Sequence, residues 1–364
     1  MKKECLILIL ISGFLTSNLL AKPAATDSTL KPEIKLSGFV DVFYAFDFNK
    51  PQTSVRQPFL YNHNRHNEFN LNLGLLKVAA AYHQYRANLA FQAGTYALDN
   101  YAAEPLTYKH IAEANVGVSL TKAANVWFDA GIFASHIGFE SAVSSDNWTL
   151  TRSLLAENSP YYLAGAKLTY NPTQKLVMAA LICNGWQRIQ RVPGNSLPGF
   201  GTQFTYAPHD KLKLNWSTFV GTDDPDSTRR MRYFNNFYGQ IQITNKFGFI
   251  AGFDIGTQQR RKKSTQYDTW FSPVLIGRYS FTQKIAAALR LEYYSDPTGI
   301  IIPLPNEAPF KTKGFSLNVD YLQNENVMLR LEGRWLQSKQ EMFSYQHKAV
   351  KDNFFIVSSM AVKF

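Results

Sequence analysis

The sequence predicts an all-β fold: a transmembrane antiparallel up-and-down β-barrel of about sixteen strands, with short turns at one end and long loops at the other. Three observations predict it. Apolar and polar residues alternate with a period of two over most of the chain, as on strands whose two faces meet unlike media. Tight turns recur at roughly 36 to 50 residues, and longer polar loops fall between them. The 364 residues include 27 Phe and 19 Tyr, yet mean hydropathy is only −0.22 and no second apolar run is long enough for a membrane helix. So aromatic a chain is not a disordered one.

The first element is a targeting segment. Lys2 and Lys3 make a basic start, Leu6 to Leu20 an apolar core too short for an anchor, and Ala21 a small residue suited to cleavage, with Ala25 a second cut site. Residues 1–21 are thus expected to be removed, 22–33 to form a short N-terminal periplasmic segment, and 34–364 to form the barrel. Cys5 precedes the cut, which leaves Cys183 and no internal disulfide. Stability must then come from packing and hydrogen-bonded sheet.

The strands follow in order. Leu36 to Tyr44 opens the series and Phe69 to Leu73 continues it. In the middle of the chain Leu212, Leu214, Trp216, Thr218 and Val220 alternate with Lys213, Asn215, Ser217, Phe219 and Gly221. The pattern returns at 236–243, 249–258, 285–294 and 329–335, where Leu329, Leu331 and Trp335 alternate with Arg330, Glu332 and Arg334. Tight turns centre on His83–Tyr85, Lys122–Asn125, Asn171–Lys175, Pro208–Lys211, Asn245–Gly248, Thr282–Lys284 and Gln323–Asn326. Long loops occupy about 49–66, 99–110, 139–160, 187–198, 222–232, 259–268, 296–312 and 338–353. Seven turns and eight loops join sixteen strands. Eighteen would follow if one loop hides a hairpin, and fourteen if 199–206 and 269–279 are not strands.

A β-propeller has a similar period, but its blades are buried on both faces, and nothing in it explains loops that are long on one side only. A closed membrane barrel pairs every backbone group in hydrocarbon and fills only alternate positions with apolar residues, which keeps mean hydropathy low. The last strand adds an independent signal. Phe354, Ile356, Ser358, Met360, Val362 and Phe364 alternate with Phe355, Val357, Ser359, Ala361 and Lys363, and the sequence closes on Phe364. This resembles the C-terminal signal by which the barrel assembly machinery recognises Gram-negative outer-membrane proteins, so Phe364 is expected to serve as the assembly signal.

Two stretches carry a family resemblance: Asp146-Asn147-Trp148-Thr149-Leu150-Thr151-Arg152-Ser153-Leu154-Leu155-Ala156-Glu157-Asn158-Ser159-Pro160-Tyr161-Tyr162, and Asn184-Gly185-Trp186-Gln187-Arg188-Ile189. With Leu36–Tyr44 and Phe69–Leu73 they resemble the OmpL-like β-barrel porin family (porin-2) of bacterial outer membranes. The resemblance spans nearly the whole mature chain. It implies an outer-membrane channel for passive diffusion of small hydrophilic solutes or ions.

The motif-bearing loop 139–160 is the third, the one that folds into the lumen of sixteen-stranded general porins; that is a fold-level analogy. A physical reason supports it: Trp148, Leu150, Leu154, Leu155, Tyr161 and Tyr162 are too apolar for a loop in water. Its charges Glu140, Asp146, Arg152 and Glu157 are expected at the constriction. Across the lumen the expected pore wall comprises Arg278, Arg290, Glu292, Arg330, Glu332 and Arg334, either setting a transverse field or pairing among themselves. The basic runs Arg229-Arg230 with Arg232, Arg260 to Lys263, Lys311 with Lys313, and Arg188 with Arg191 suit lipopolysaccharide phosphates or an anion-collecting mouth better than nucleic acid. Asp223-Asp224-Pro225-Asp226 lacks the oxygens of a calcium site.

No cofactor or metal is implied: His63, His66, His110 and His347 lack ligand spacing. An enzyme is not expected, although His136 beside Ser135 and Ser141 raises an outer-membrane hydrolase as one alternative. A plugged structural or adhesin barrel is the other. A homotrimer is left open.

Overall fold

The computed structural model describes residues 32–304, 308–346 and 348–364. The export segment with Ala21, Ala25 and Cys5, and His347, lie outside the described residues.

Sixteen strands close one antiparallel barrel. They are β1 (Glu33–Asp47), β2 (Phe69–Tyr82), β3 (Tyr85–Ala93), β4 (Ile111–Ser119), β5 (Val126–Ala134), β6 (Tyr162–Thr173), β7 (Leu176–Cys183) and β8 (Gly199–His209), then β9 (Leu212–Gly221), β10 (Arg232–Gln242), β11 (Phe247–Gln259), β12 (Tyr267–Ser280), β13 (Ile285–Asp296), β14 (Phe310–Leu322), β15 (Val327–Ser338) and β18 (Asp352–Lys363). Every strand pairs with its sequence neighbour, and β18 returns to β1 through pairs such as Val40 with Val362. All seven tight turns fall where expected, and the two stretches in doubt are strands, lying within β8 and β12. The eighth long loop does hold a hairpin, β16 (Phe343–Tyr345) with β17 (Lys348–Val350), but it pairs only with itself and adds nothing to the barrel wall.

Residue parity sorts the two faces. On β14 and β15 the outward residues Phe315, Leu317, Leu329 and Leu331 are 41–52% exposed, while Asn318, Glu332 and Arg334 between them are fully buried. The seam closes at the last residue: Gly38 N donates to Phe364 O (2.7 Å) and Phe364 N to Gly38 O (3.0 Å). The Phe364 ring lies over Gly38, where a β-carbon would collide with it. Gly38 thus admits the terminal ring.

The inner face differs from the expected polar lumen. Near the loop end of the strands it is apolar: Phe43, Phe133, Leu163, Phe219, Phe234, Trp270, Phe310 and Phe355 point inward and are buried. They pack with Phe59 and Leu60 of the first loop, Leu150 and Leu154 of the third, Ile302 of the seventh and Phe343 of the eighth. Barrel and loops share this core, so the aromatics divide between an outer belt and an inner, loop-holding ring.

Candidate functional site

The third loop, residues 135–161, enters the lumen. Its neck is closed by Ser135 N donating to Tyr161 O (2.9 Å). From there it descends along the β10–β15 side: Gly138 N donates to Asn236 Oδ1 (3.1 Å), and Phe139, Trp148, Leu155 and Ala156 pack on inward Ile250, Val274, Ile276 and Ala288. Its tip reaches close to the turn end of the wall. There Arg330 donates to Ser144 O (2.5 Å) and Asn147 O (3.0 Å), and Arg278 to Trp148 O (3.2 Å). On the opposite flank Ser144 Oγ donates to Asp41 of β1 (2.8 Å). An apolar, hydrogen-bonded segment is thereby shielded from water.

The returning limb is latched by the wall's central charges. Thr151 N donates to Glu332 Oε2 (2.6 Å), Leu154 N to Glu292 Oε2 (2.7 Å) and Leu150 N to Asn318 Oδ1 (3.1 Å). Arg290 reaches Thr149 Oγ1 (2.9 Å) and Thr151 O (2.5 Å), and Arg334 reaches Arg152 O (2.9 Å). The same guanidiniums pair with wall carboxylates: Arg290 with Glu332 (2.8 Å), Arg334 with Glu292 (2.7 Å), and Arg330 with Asp320 (2.7 Å). These ions are paired twice over, to carboxylate and to peptide dipole, the condition under which a buried charge is tolerated.

Arg278, Arg290, Glu292, Arg330, Glu332 and Arg334 face inward, against the third loop. The side chains of Arg290, Glu292, Arg330, Glu332 and Arg334 are 0% exposed beneath the loop. Only Arg278 keeps some exposure, at 19%. The loop's own charges are also largely occupied. Arg152 and Glu157 form a buried pair (3.1 Å), with Arg152 stacked on the Tyr161 ring and Glu157 accepting from Tyr61 N (2.9 Å) of the first loop. Glu140 is half-buried, accepts from Ser153 N (3.0 Å) and its hydroxyl, and burial raises its pKa. The loop's short helix (Leu154–Glu157) is capped by that Ser153, whose Oγ accepts from Ala156 N. At the tip Asp146 has a buried Oδ2 with no hydrogen bond among the described residues, and burial lifts its pKa to about 6, opposed by Lys363 and Arg330.

The second motif clamps the first. Trp186 packs edge-on against Phe219, Phe234 and Trp270, and Gln187 Oε1 accepts from Tyr161 N (2.8 Å). Gly185, at positive φ, passes so close to Asp223 that a β-carbon would overlap its carboxylate. Asp223 accepts from Trp186 N (2.9 Å) and faces Arg188 at 3.9 Å. Asp224 and Asp226 pair with Arg230 and Arg229, so the acidic turn neutralises its basic neighbours.

One further group of inward residues lies on the β2–β9 wall, which the loop touches only through its neck, where His136 O accepts from Gln203 and Ser217, and through Val143. Lys77 with Glu113 (2.8 Å) and Arg86 with Asp129 (2.5 Å) bridge β2 to β4 and β3 to β5, with Lys167, Gln203, Thr205 and Lys213 beside or beyond them. Lys77, Glu113 and Arg86 retain 16%, 17% and 23% exposure. This wall carries no mark in the sequence, because its charges are dispersed singly over alternating positions rather than clustered. The first loop also turns inward, beyond what the sequence predicts, with Arg56 over the Phe355 ring and His63 bonded to Asp41 (2.8 Å). Phe59 and Leu60, two adjacent apolar residues in a polar loop, are the signal that could have found it.

His136 is no catalytic base. It is buried, donates from Nε2 to Thr218 O (2.8 Å), and burial lowers its pKa to about 4. Ser135 and Ser141 accept from Ile137 N and Val143 N in local turns.

Residues 33–364 match the family described as "Putative beta-barrel porin-2, OmpL-like". Similar solved structures include an anion-selective porin from Comamonas acidovorans, at TM-score 0.61 and 9% identity over 92% of this chain and 100% of that one. The outer membrane channel DcaP of Acinetobacter baumannii gives 0.60 and 10% over 94% and 100%. OmpT of Vibrio cholerae, in trimer form, gives 0.58 and 8% over 92% and 100%. At such identities the likeness is one of fold. No curated protein matches the chain.

Proposed function

The chain belongs to the OmpL-like β-barrel porin-2 family, hence an outer-membrane channel rather than an enzyme, and from that premise we propose that small hydrophilic solutes or ions diffuse passively along the β2–β9 side of a lumen constricted by the third loop. One observation carries this reading. The loop is latched to the β11–β15 wall by buried arginines, whereas Lys77, Arg86 and Glu113 on the opposite wall stay accessible. On this reading Asp146 and Glu140 lend the constriction its negative charge, while Arg152 and Glu157 hold its shape. Phe364 is proposed as the assembly signal, and a homotrimer, the form in which OmpT of Vibrio cholerae was described, as the working assembly.

The plugged or adhesive barrel is the second reading, favoured by the apolar core at the loop end. Single-channel recording in a planar bilayer separates the two. Discrete conductance steps with a measurable reversal potential under a salt gradient are expected; a purified, folded barrel without steps would favour the plug. Deleting 142–158 should enlarge conductance and weaken selectivity, and unchanged current would sink the constriction.

A further inference from the structure

On the outer surface, away from the lumen, four lysines converge on one recess. Lys311 and Lys313 lie at the loop end of β14, and Lys339 and Lys351 flank the connection from β15 to β18; Tyr293, Gln337 and Ser338 complete an open recess of about 690 Å³. Parity fixes the direction of the β14 pair. Phe310 and Thr312 are fully buried toward the lumen, so Lys311 and Lys313 between them point outward and are exposed. Pairing sets Lys313 between Tyr293 and Gln337 on adjacent strands, and Ser338 N donates to Lys351 O (2.8 Å).

Immediately toward the turns, the same outward columns become apolar: Phe315, Leu317 and Val319 on β14, Trp335 and Leu331 on β15, Leu291 and Leu289 on β13. The lysines thus stand where the hydrocarbon belt ends on the loop side, the level of the outer-leaflet headgroups. None of the four ammonium groups has a carboxylate partner among the described residues. The nearest acid by register is Asp352, opposite Gln337, which leaves a surplus of positive charge. Four free cations above a greasy wall match an amphiphile that carries phosphate on its head and acyl chains below it. Other basic stretches differ. The loop tip 260–263 lies beyond the belt, and Arg260 there already pairs with Asp268 (2.9 Å).

We propose that Lys311, Lys313, Lys339 and Lys351 bind the phosphorylated headgroup of lipopolysaccharide, seating its acyl chains on the outward face of β13–β15. This site is independent of the channel reading, since Lys311, Lys313, Tyr293 and Gln337 point away from the lumen.

The test uses the full chain, folded in detergent, with diphosphorylated lipid A as probe in native mass spectrometry or titration. The variant Lys311→Gln, Lys313→Gln, Lys339→Gln, Lys351→Gln should lose on the order of tenfold or more in retention of that lipid. The loop-tip variant Arg261→Gln, Lys262→Gln, Lys263→Gln should retain it. Dephosphorylated lipid should bind the native barrel no better than it binds the fourfold variant, and inorganic phosphate should compete only at large excess. Heat-modifiable gel migration and unchanged single-channel conductance verify that the fourfold variant is folded. Equal retention by native and fourfold variant, or indifference to removal of the phosphates, would overturn the proposal. Competition by inorganic phosphate at concentrations equal to the lipid would also overturn it, marking a free-anion site instead.

Discussion

Arg290 shows how one residue serves both stability and the channel. Its side chain is fully buried between Glu292 and Glu332 and donates to Thr149 and Thr151 of the third loop. Replacing it by leucine leaves Glu332 buried without its ion-pair partner while Glu292 keeps Arg334, a loss of about 3–5 kcal/mol for a broken buried pair. Arg290→Leu should therefore lower the urea midpoint of the refolded barrel and make single-channel current larger and noisier; a stable variant with quiet native conductance would refute the latch. Asp146 offers the opposite case, a loop-tip carboxyl with a buried Oδ2 that finds no hydrogen bond. Burial disfavours its charged form, so its pKa of about 6 lies above the ordinary range. Below that pH the tip is neutral, and above it the tip carries a negative charge. Cation permeability relative to anions should fall as pH drops through about 6, and Asp146→Asn should abolish that step in reversal potential measured against pH.

Among the elements, the third loop owes its fixed path to two motifs acting on each other, and Trp186 is their keystone through Phe219, Phe234 and Trp270. Trp186→Ala empties an aromatic site and should cost about 3–5 kcal/mol, read as a lower thermal midpoint, with a wider spread of conductance states as the loop loosens. The strands, turns and loops that frame this loop were legible in sequence because alternation and turn chemistry are local, as Leu329 to Trp335 and Gln323–Asn326 show. The loop's apolar residues likewise announced that something must bury them. Which partner does so was not legible, since Trp148 against Ile276, or Phe59 against Phe310, joins residues more than a hundred positions apart. Phe219, Phe355 and Val357 held the one available clue, apolar residues at the parity of the polar face and near the loop ends. The inward arginines carry two readings in sequence, a transverse field or mutual pairing, because alternation reports the side of a sheet and not what lies across from it.

For the barrel as a whole, the two halves of the wall divide the work. On β13–β15 every inward charge is matched by a buried partner, so a change there acts on folding before it acts on flow. On β2–β9 the inward charges are four basic, Lys77, Arg86, Lys167 and Lys213, against two acidic, Glu113 and Asp129, and most of these side chains keep contact with solvent. A field from accessible charges in a narrow, low-dielectric passage sorts ions more strongly than the formal net charge of +11, which counts every charge alike wherever it sits. The surplus on the open wall predicts that anions pass more readily than cations at neutral pH. Lys167→Glu with Lys213→Glu reverses that surplus without touching the latch, so it should move the reversal potential in a KCl gradient toward the cation value and leave the unfolding midpoint within about 1 kcal/mol of native. If the double variant keeps the native reversal potential, permeating ions do not travel along β2–β9. The asymmetric lumen would then be a structural consequence of seating the loop, with selectivity set nearer the loop tip by Asp146.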